Sequence, residues 1–470
     1  MRGAGLSSGR GRHSAARGSH GAAPGSQGPA PDAAGEALTA GGTAGDGAPR
    51  RGGRSDLREA LRYSLIVFLG VRVGLSILAV LALGLLPHTL TPTDVPGWAA
   101  PPFTTGLHVF VTVWERSDGL WFLRIADGGY GGTDGSAVFF PLYPMLVRGV
   151  SWVLGGHPLP AALLVSNLSF FGALVVLYLL TAREWGDRVA RNSVLLLAVF
   201  PTSFFFLAPY SESTFLLCAV GSFAAARSRR WLLAGALGAL AALTRNVGVV
   251  LAPALAVEAV HQYLEARRRS GVRAAAEPAA GRPPREAASG NGGSDRAAKR
   301  RLAVALGSSA LPVAGLLSYL VFWGARYGHW LEPLTDQTRW QRQVQLPWAT
   351  IVHGTKQAFG NLGDFPNGGY HLLDWMVVAP ALLAAVYGLF RLRLGYSVFT
   401  WGCLTAALTF VWPPRAFMSD PRFVLPLFPI VWVVALLIER GRLPRTAVIG
   451  VFAAGLGLLT ALFVNWYYIF

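Results

Sequence analysis

Long apolar segments separated by short polar turns recur along the chain from Tyr63 to Phe470. About 20 apolar residues make a helix long enough to cross a bilayer, and the strict alternation of a membrane β-barrel is absent. The pattern predicts an all-α, polytopic membrane protein. The first segment runs from Tyr63 to Leu86 and stops at Pro87. Others follow at Pro160 to Leu180, Val194 to Leu207, Thr214 to Ala226, Leu302 to Trp323, Leu373 to Phe390, Val398 to Trp412, Phe423 to Ile438 and Thr446 to Phe463. Between them, Trp231 to Val260 is interrupted at Thr244-Arg245-Asn246 and reads as two short segments that reverse at Arg245. With that reversal the expected number is about 11 membrane helices.

Charge supplies the orientation. Of the 470 residues, 53% are hydrophobic and 14% charged, with a formal net charge of +17. The arginines crowd into an N-terminal tail, one linker and the short turns, which is the positive-inside arrangement and no sign of nucleic-acid binding. Placing Arg183, Arg188, Arg191, Arg227, Arg229, Arg230, Arg391, Arg393, Arg440, Arg442 and Arg445 in the cytoplasm fixes the parity of the spans. It requires the Pro-broken stretch from Phe139 to Leu154 to lie in the interface, and the chain to reverse at Arg245. Residues 1–60 are expected to be a disordered basic cytoplasmic tail, since a Gly/Ala/Ser/Pro/Arg segment buries too little apolar surface to offset its ordering entropy. Residues 61–264 form a first membrane half with an outer loop at 88–158, and 302–470 a second half with an outer loop at 326–371. Between the halves, 265–301 reads as a flexible basic cytoplasmic linker. A multi-pass protein of the cell membrane with a cytoplasmic N-terminus follows. Arg72, inside the first span, must face the bundle or a polar cavity. Cys218 and Cys403 lie within apolar runs and are expected as free thiols.

The same parity gathers the chemistry on the outer side. Asp118-Gly119-Leu120-Trp121-Phe122-Leu123-Arg124-Ile125-Ala126-Asp127-Gly128-Gly129-Tyr130 is followed by Phe139-Phe140-Pro141-Leu142-Tyr143-Pro144. Tyr210-Ser211-Glu212, Arg245-Asn246, a Trp/Arg-rich second loop and Arg415 to Arg422 fall on the same side. Carboxylate, guanidinium and aromatic faces together suit a site that activates a sugar hydroxyl and holds a sugar and a phosphate. The bland readings are a helix cap for Asp118, a surface pair for Arg124 and Asp127, interfacial anchors for the aromatics and a helix-start carboxylate for Glu212. Arg245, at membrane depth, needs an anion, either Glu212 or a ligand phosphate, and Arg422 has the same two readings. The histidines lack metal-ligand spacing, and there is no P-loop and no dinucleotide fingerprint.

These motifs, in this order, resemble the GPI mannosyltransferase II (PIG-V-like) family of GT-C integral-membrane glycosyltransferases. The resemblance rests on Asp118 to Tyr130, Phe139 to Pro144, Phe200-Pro201-Thr202-Ser203-Phe204-Phe205-Phe206 leading to Tyr210-Ser211-Glu212-Ser213, the Leu243-Thr244-Arg245 turn, and Pro421-Arg422-Phe423 with Phe428-Pro429. It covers roughly Tyr63 to Phe470 without the linker. Ser117 stands where the family usually has Trp, and Phe122 where Tyr is common. The resemblance implies a GT-C-like fold and an inverting transfer of mannose from a polyprenyl-phosphate-linked donor on the outer face, with no cofactor beyond that donor. Asp118 would be the general base. Trp121, Arg124, Asp127, Tyr130, Tyr143, Tyr210, Glu212, Arg245, Asn246 and Arg422 would bind substrate. The acceptor would be a glycan, glycolipid or glycoprotein; residue usage typical of a GC-rich bacterial genome argues against a GPI anchor. The competing class is a lipid or polyprenol-linked sugar flippase, which would place its polar groups at mid-membrane between two repeats; a non-catalytic membrane scaffold is the third.

Overall fold

The computed structural model describes residues 53–88, 95–99, 103–276, 284–364 and 368–467. The chain is a helical bundle. Helix α1 (Gly53–Leu85) is followed by three short helices, α2 (Val109–Thr112), α3 (Asp118–Gly128) and α4 (Leu142–Val153). Then come α5 (Pro158–Trp185), α6 (Asp187–Ala198), α7 (Glu212–Arg227), α8 (Trp231–Thr244) and α9 (Leu251–Ala276). The second half holds α10 (Pro284–Ser309), α11 (Leu311–Tyr327), the short α12 (Glu332–Thr335), α13 (Pro347–Gly360), α14 (Gly369–Leu389), α15 (Leu394–Thr409), the short α16 (Asp420–Val424), α17 (Phe428–Glu439) and α18 (Arg445–Val464). One two-stranded antiparallel ribbon, β1 (Gln343–Val344) with β2 (Phe410–Val411), ties the second loop to the segment before α16.

Among the described residues six helical stretches are long and apolar enough to cross a membrane: Asp56–Leu85, Pro158–Trp185, Asn246–Ser270, Asp295–Tyr327, Gly369–Leu389 and Arg445–Val464. Helices α8 and α17 are apolar but shorter. The remaining expected spans fall on α6, α7 and α15, of 12, 16 and 16 residues. At 1.5 Å per residue these are about 18–24 Å long, short of the roughly 30 Å hydrocarbon core. The other expected spans thus fall on helices shorter than the six of full spanning length. Of the short helices, α7, α8 and α15 end at or beside Ser211, Thr244 and Phe410, which line a cavity, the setting in which non-helical backbone is tolerated at membrane depth. Helix α4, of 12 residues, is likewise too short to span.

Two expected unstructured segments are partly helical. Helix α1 begins at Gly53 with Asp56 in its first turn, so the last residues of the expected 1–60 tail are helical; residues up to 52 lie outside the described ones. Helices α9 and α10 extend into the expected linker from both sides, leaving only 277–283 outside the described residues. Within α9, Glu265 pairs with His261 at 3.2 Å and across to Arg393 at 3.1 Å, and one turn-spaced pair, Asp295 with Lys299, lies on α10. Such pairs support a helix that composition alone disfavours.

The break at Arg245 is present: α8 ends at Thr244 and a 3₁₀ turn over Asn246–Val250 leads into α9. The turn folds back so tightly that a Cβ on Gly248 would lie 2.4 Å from the Ala241–Ala242 backbone. Small residues also bring α8 against α11, where a Cβ on Gly315 would meet the Ala239 carbonyl at 2.5 Å. Arg72 turns inward, its guanidinium 5.1 Å from the Trp114 ring.

Helix α7 separates the two chemistries of the chain. It starts at Glu212 and ends at Arg227, about 24 Å away at 1.5 Å per residue. At the Arg227 end the basic turns meet: Arg227 holds Glu184 and Glu258, Arg393 holds Glu258 and Glu265, Arg191 holds Glu59, and Arg445 donates to Asn192. At the Glu212 end lie Asp118, Arg245 and Arg422.

Candidate active site

Asp118 opens α3, and the residues before it are locked. Arg116 is 2% exposed; its Nε donates to the Val464 carbonyl at 3.0 Å and its Nη1 to the Thr112 and Glu115 carbonyls at 3.0 and 2.9 Å. The Arg116 carbonyl in turn accepts from the Tyr210 phenol at 3.1 Å and the Gly119 amide at 3.0 Å. Burial lowers the Arg116 pKa to about 10, with Glu115 opposing. Between this anchor and Asp118, Ser117 sits at φ 49°, ψ −128°, the first central position of a type II′ turn, where glycine is favoured.

From Asp118 an alternating row of charges runs into the protein. Arg422 Nη1 donates to Asp118 Oδ2 at 2.5 Å, Arg422 Nε stands 3.0 Å from Glu212 Oε1, and Arg245 pairs with the same Glu212 oxygen. Only the Asp118 carboxylate is reachable: its side chain is 32% exposed, against 1% for Glu212. Glu212 lies behind the arginines as their shared counter-ion. Burial works to lower the Arg422 pKa, but Asp118 and Glu212 outweigh it and the guanidinium is held above the ordinary arginine value. One phenyl ring organises the cations. The guanidinium carbons of Arg245, Arg342 and Arg422 lie 5.2, 5.6 and 5.4 Å from the centroid of Phe423.

These groups line a chamber of about 380 Å³. Its walls carry Asp118, Arg245, Arg339, Arg342 and Arg422, and Glu212, Glu332 and Asp336 pair with these guanidinium groups from outside the wall. Phe139, Phe140, Trp340 and Phe423 add aromatic faces. The chamber continues into an apolar recess of about 80 Å³ walled by Phe215, Val247, Cys403, Phe410 and Leu427. Arg245, Asn246, Gln337, Arg342 and Phe423 border both spaces. Among the described residues five non-glycine residues have positive φ; three of them, Ser117 (49°), Gln341 (55°) and Ser419 (70°), line this chamber. Each such residue costs about 1–3 kcal/mol, and they cluster at functional sites.

The structure sorts the residues singled out in the sequence. Asp118, Arg245, Asn246 and Arg422 line the chamber, with Glu212 directly behind. Tyr210 is buried beneath, its ring 5.5 Å from the Arg422 guanidinium. Trp121 stacks behind Phe139, centroids 5.3 Å apart, and meets Trp340 edge-on at 5.6 Å, so it supports the wall. Tyr143 is buried, bonded to the Ser166 hydroxyl at 2.7 Å. Arg124 does not pair with Asp127; it pairs with Asp134 and donates to the Gly129 carbonyl at 3.2 Å, a turn-closing role at the far end of α3. Asp127 is exposed there, and Tyr130 faces a different cavity. The chamber also uses residues outside the expected set. Arg342, in the second loop just before β1, donates to the Phe410 carbonyl at 3.1 Å and the Ser419 hydroxyl at 2.9 Å. Arg339 joins the two loops, holding the Thr133 carbonyl and Asp336. Asp420, beside Arg422, is fully buried; burial raises its carboxyl to about 8, Arg342 opposing and Asp374 adding. The density of Arg and Trp at 339–342 was the available signal for this loop.

The fold and site define a polytopic helical membrane protein with a chamber lined by one carboxylate and four guanidinium groups at one end of its bundle. No family model matches the chain. It is similar to GPI mannosyltransferase 2 of Drosophila pseudoobscura pseudoobscura, 36% identical over 108 residues, which are 21% of this chain and 24% of that protein. The match thus spans about a quarter of that relative's length. Among solved structures it is similar to ArnT from Cupriavidus metallidurans in the apo state (TM-score 0.45, 15% identity, 86% of this chain and 77% of that one). It is also similar to the Archaeoglobus fulgidus oligosaccharyltransferase (TM-score 0.36, 14% identity, 85% of this chain and 53% of that one).

Proposed function

We propose that the protein is an integral-membrane glycosyltransferase that moves mannose, with inversion, from a polyprenyl-phosphate donor to a hydroxyl of a glycan, glycolipid or glycoprotein. The observation that carries this reading is the chamber. It joins one reachable carboxylate, a ring of guanidinium groups and an apolar recess in a single space. A sugar joined to a lipid phosphate has the same three parts. In this reading the phosphate lies where polar and apolar walls meet, between Arg245 and Arg342, and the sugar lies toward Asp118 against Trp340 and Phe139. The site faces outward and the N-terminus is cytoplasmic, as the arginine-rich turns at the opposite end support.

The chemistry follows from the geometry. Asp118 takes the proton of the acceptor hydroxyl as its oxygen bonds to the anomeric carbon from the face opposite the leaving group. The bond from that carbon to the phosphate oxygen breaks, and its electron pair leaves with the lipid phosphate. Guanidinium groups fixed beforehand by Glu212, Ser419 and Phe423 stabilise the charge that develops there without reorganising. Arg422 orients Asp118. A carrier would need its polar groups at mid-depth between repeats, whereas these gather at one end.

The test is sugar transfer in membranes supplied with labelled polyprenyl-phosphate-mannose, with and without the protein. Protein-dependent transfer of label to an acceptor is expected. Movement of the intact lipid-linked sugar between leaflets, with no transfer, would replace the reading by a flippase.

A further inference from the structure

A second cavity, of about 450 Å³, lies between the end of α3, helix α4, the end of α8 and α11. It has no part in the proposed transfer. Its polar groups can be accounted for one by one. The Tyr130 phenol donates to the Phe139 carbonyl at 2.7 Å, that of Tyr319 to the Ala137 carbonyl at 2.9 Å, and that of Tyr327 to the Tyr130 carbonyl at 2.8 Å. The Ser318 hydroxyl donates to the Gly315 carbonyl at 2.7 Å. Every hydroxyl lining the space is thus engaged within the protein. What a ligand meets is aromatic and aliphatic surface and one cation, Arg148. Arg148 is exposed, its guanidinium 5.9 Å from the Trp152 ring, and among the described residues it forms no ion pair. Such a cavity offers nothing to a sugar's hydroxyls. It fits a molecule that is apolar along its length and carries an anionic group at one end.

The setting narrows the class further. Helix α4 is about 18 Å long and turns apolar side chains outward: Met145 is 66% exposed, Trp152 73% and Val153 84%. A short helix with such a face and with Trp and Arg together has the composition of the bilayer interface. Arg148 on this helix suits a headgroup, and beside the cavity Phe322 and Leu317 on α11 are exposed apolar side chains suited to acyl chains.

We propose that this cavity holds one anionic glycerophospholipid of the bilayer, with its phosphate on Arg148 and one acyl chain against Tyr319 and Phe322. The site has a consequence for the chamber. The segment from Ala137 to Pro141 is the partition between the two spaces: Val138, Phe139 and Phe140 face the chamber, and Pro141 faces the lipid. The carbonyls of Ala137 and Phe139 are held by the tyrosines that wall the lipid site. A bound lipid braces the chamber wall.

The full chain, reconstituted in nanodiscs of phosphatidylcholine with a minor share of phosphatidylglycerol, is released and its retained lipids are counted by native mass spectrometry. The wild type is expected to keep one phosphatidylglycerol. Arg148→Glu is expected to lower its retention about tenfold, since one basic side chain at the surface contributes about 1 kcal/mol and reversal removes more than that. Arg148→Lys should keep it. Ser318→Leu, which fills the cavity without touching Arg148, should lose it, with thermal melts verifying that each variant is folded. Equal retention by all variants, or none by the wild type, overturns the proposal. So does stoichiometric displacement of the phospholipid by undecaprenyl phosphate, which would give the cavity to a prenyl chain.

Discussion

Asp118 is held by one group in the chamber wall, Arg422, and by others behind it. Arg116 and Tyr210 fix the backbone before it, and Glu212 fixes Arg422, which fixes its carboxylate. If Asp118 is the base, Asp118→Asn removes proton abstraction and leaves the anion site intact. General-base catalysis contributes about 10²–10⁴-fold, so turnover should fall by roughly that factor while the affinity for undecaprenyl phosphate stays near wild type. Near-normal turnover in a folded variant would exclude Asp118. Arg342→Ala should do the reverse, weakening donor binding first; unchanged binding would move the phosphate away from the recess. Asp420 makes a pH prediction. Its carboxyl is raised to about 8 by burial, with Arg342 opposing and Asp374 adding. The folded state then binds a proton that the unfolded chain has released, so this group's stabilisation is present at low pH and lost as pH climbs from about 4 to about 8. Asp420→Asn should flatten that fall in thermal melts taken from pH 5 to pH 9. Parallel curves for the two proteins would show that Asp420 ionises without cost.

At the level of elements, the break between α8 and α9 does most to make a site. A continuous helix would carry Arg245 into the bundle as one more buried charge; the 3₁₀ turn instead leaves it at the chamber, against Glu212. The turn depends on Gly248, whose missing side chain lets the chain lie on the Ala241–Ala242 backbone. Gly248→Ala puts a methyl 2.4 Å from that backbone. The neighbour is main chain and cannot rotate away, so a loss of about 1–3 kcal/mol or more is expected, with transfer falling further than stability as Arg245 shifts. A variant with wild-type melting and transfer would show that the turn relaxes freely. This break was legible in the sequence, because an arginine inside an apolar run has few places to go. Asp118 and Arg422 were legible for a related reason, each lying where a polar motif interrupts apolar segments. Arg342 and Trp340 were legible only as part of a Trp/Arg-rich outer loop, since Trp and Arg at a loop edge are also what the bilayer interface selects. The Arg124–Asp127 pair failed because spacing on a helix does not say which acid a flexible guanidinium will choose; Asp134, folded back by the glycines that follow, is better placed. Hydropathy measures apolarity and not helix length, so the 12, 16 and 16 residues of α6, α7 and α15 are seen only in the structure.

For the whole molecule, the question is which end of the bundle faces out. Two clusters stand at opposite ends of α7: the chamber at Glu212, and the network of Arg227 and Arg393 with Glu184, Glu258 and Glu265 at the other. Both are charged, so burial alone does not orient them. The surplus does. At the far end the turns carry further arginines, Arg229 and Arg230 on one and Arg440 and Arg442 on another, within short loops whose basic residues resist translocation. That end should be cytoplasmic, which would leave the chamber outside, where the proposed transfer requires it. In a background with Cys218 and Cys403 replaced by Ala, both being buried and free, single cysteines are placed at three exposed positions: Thr133 and Gly363 in the two expected outer loops, and Ser228 at the basic end. An impermeant maleimide added to intact cells should label the first two and reach Ser228→Cys only after lysis. The reversed pattern would put the chamber in the cytoplasm and require a donor exposed there. Labelling of all three in intact cells would mean that the sealed bundle implied by the six long helices does not form in the membrane.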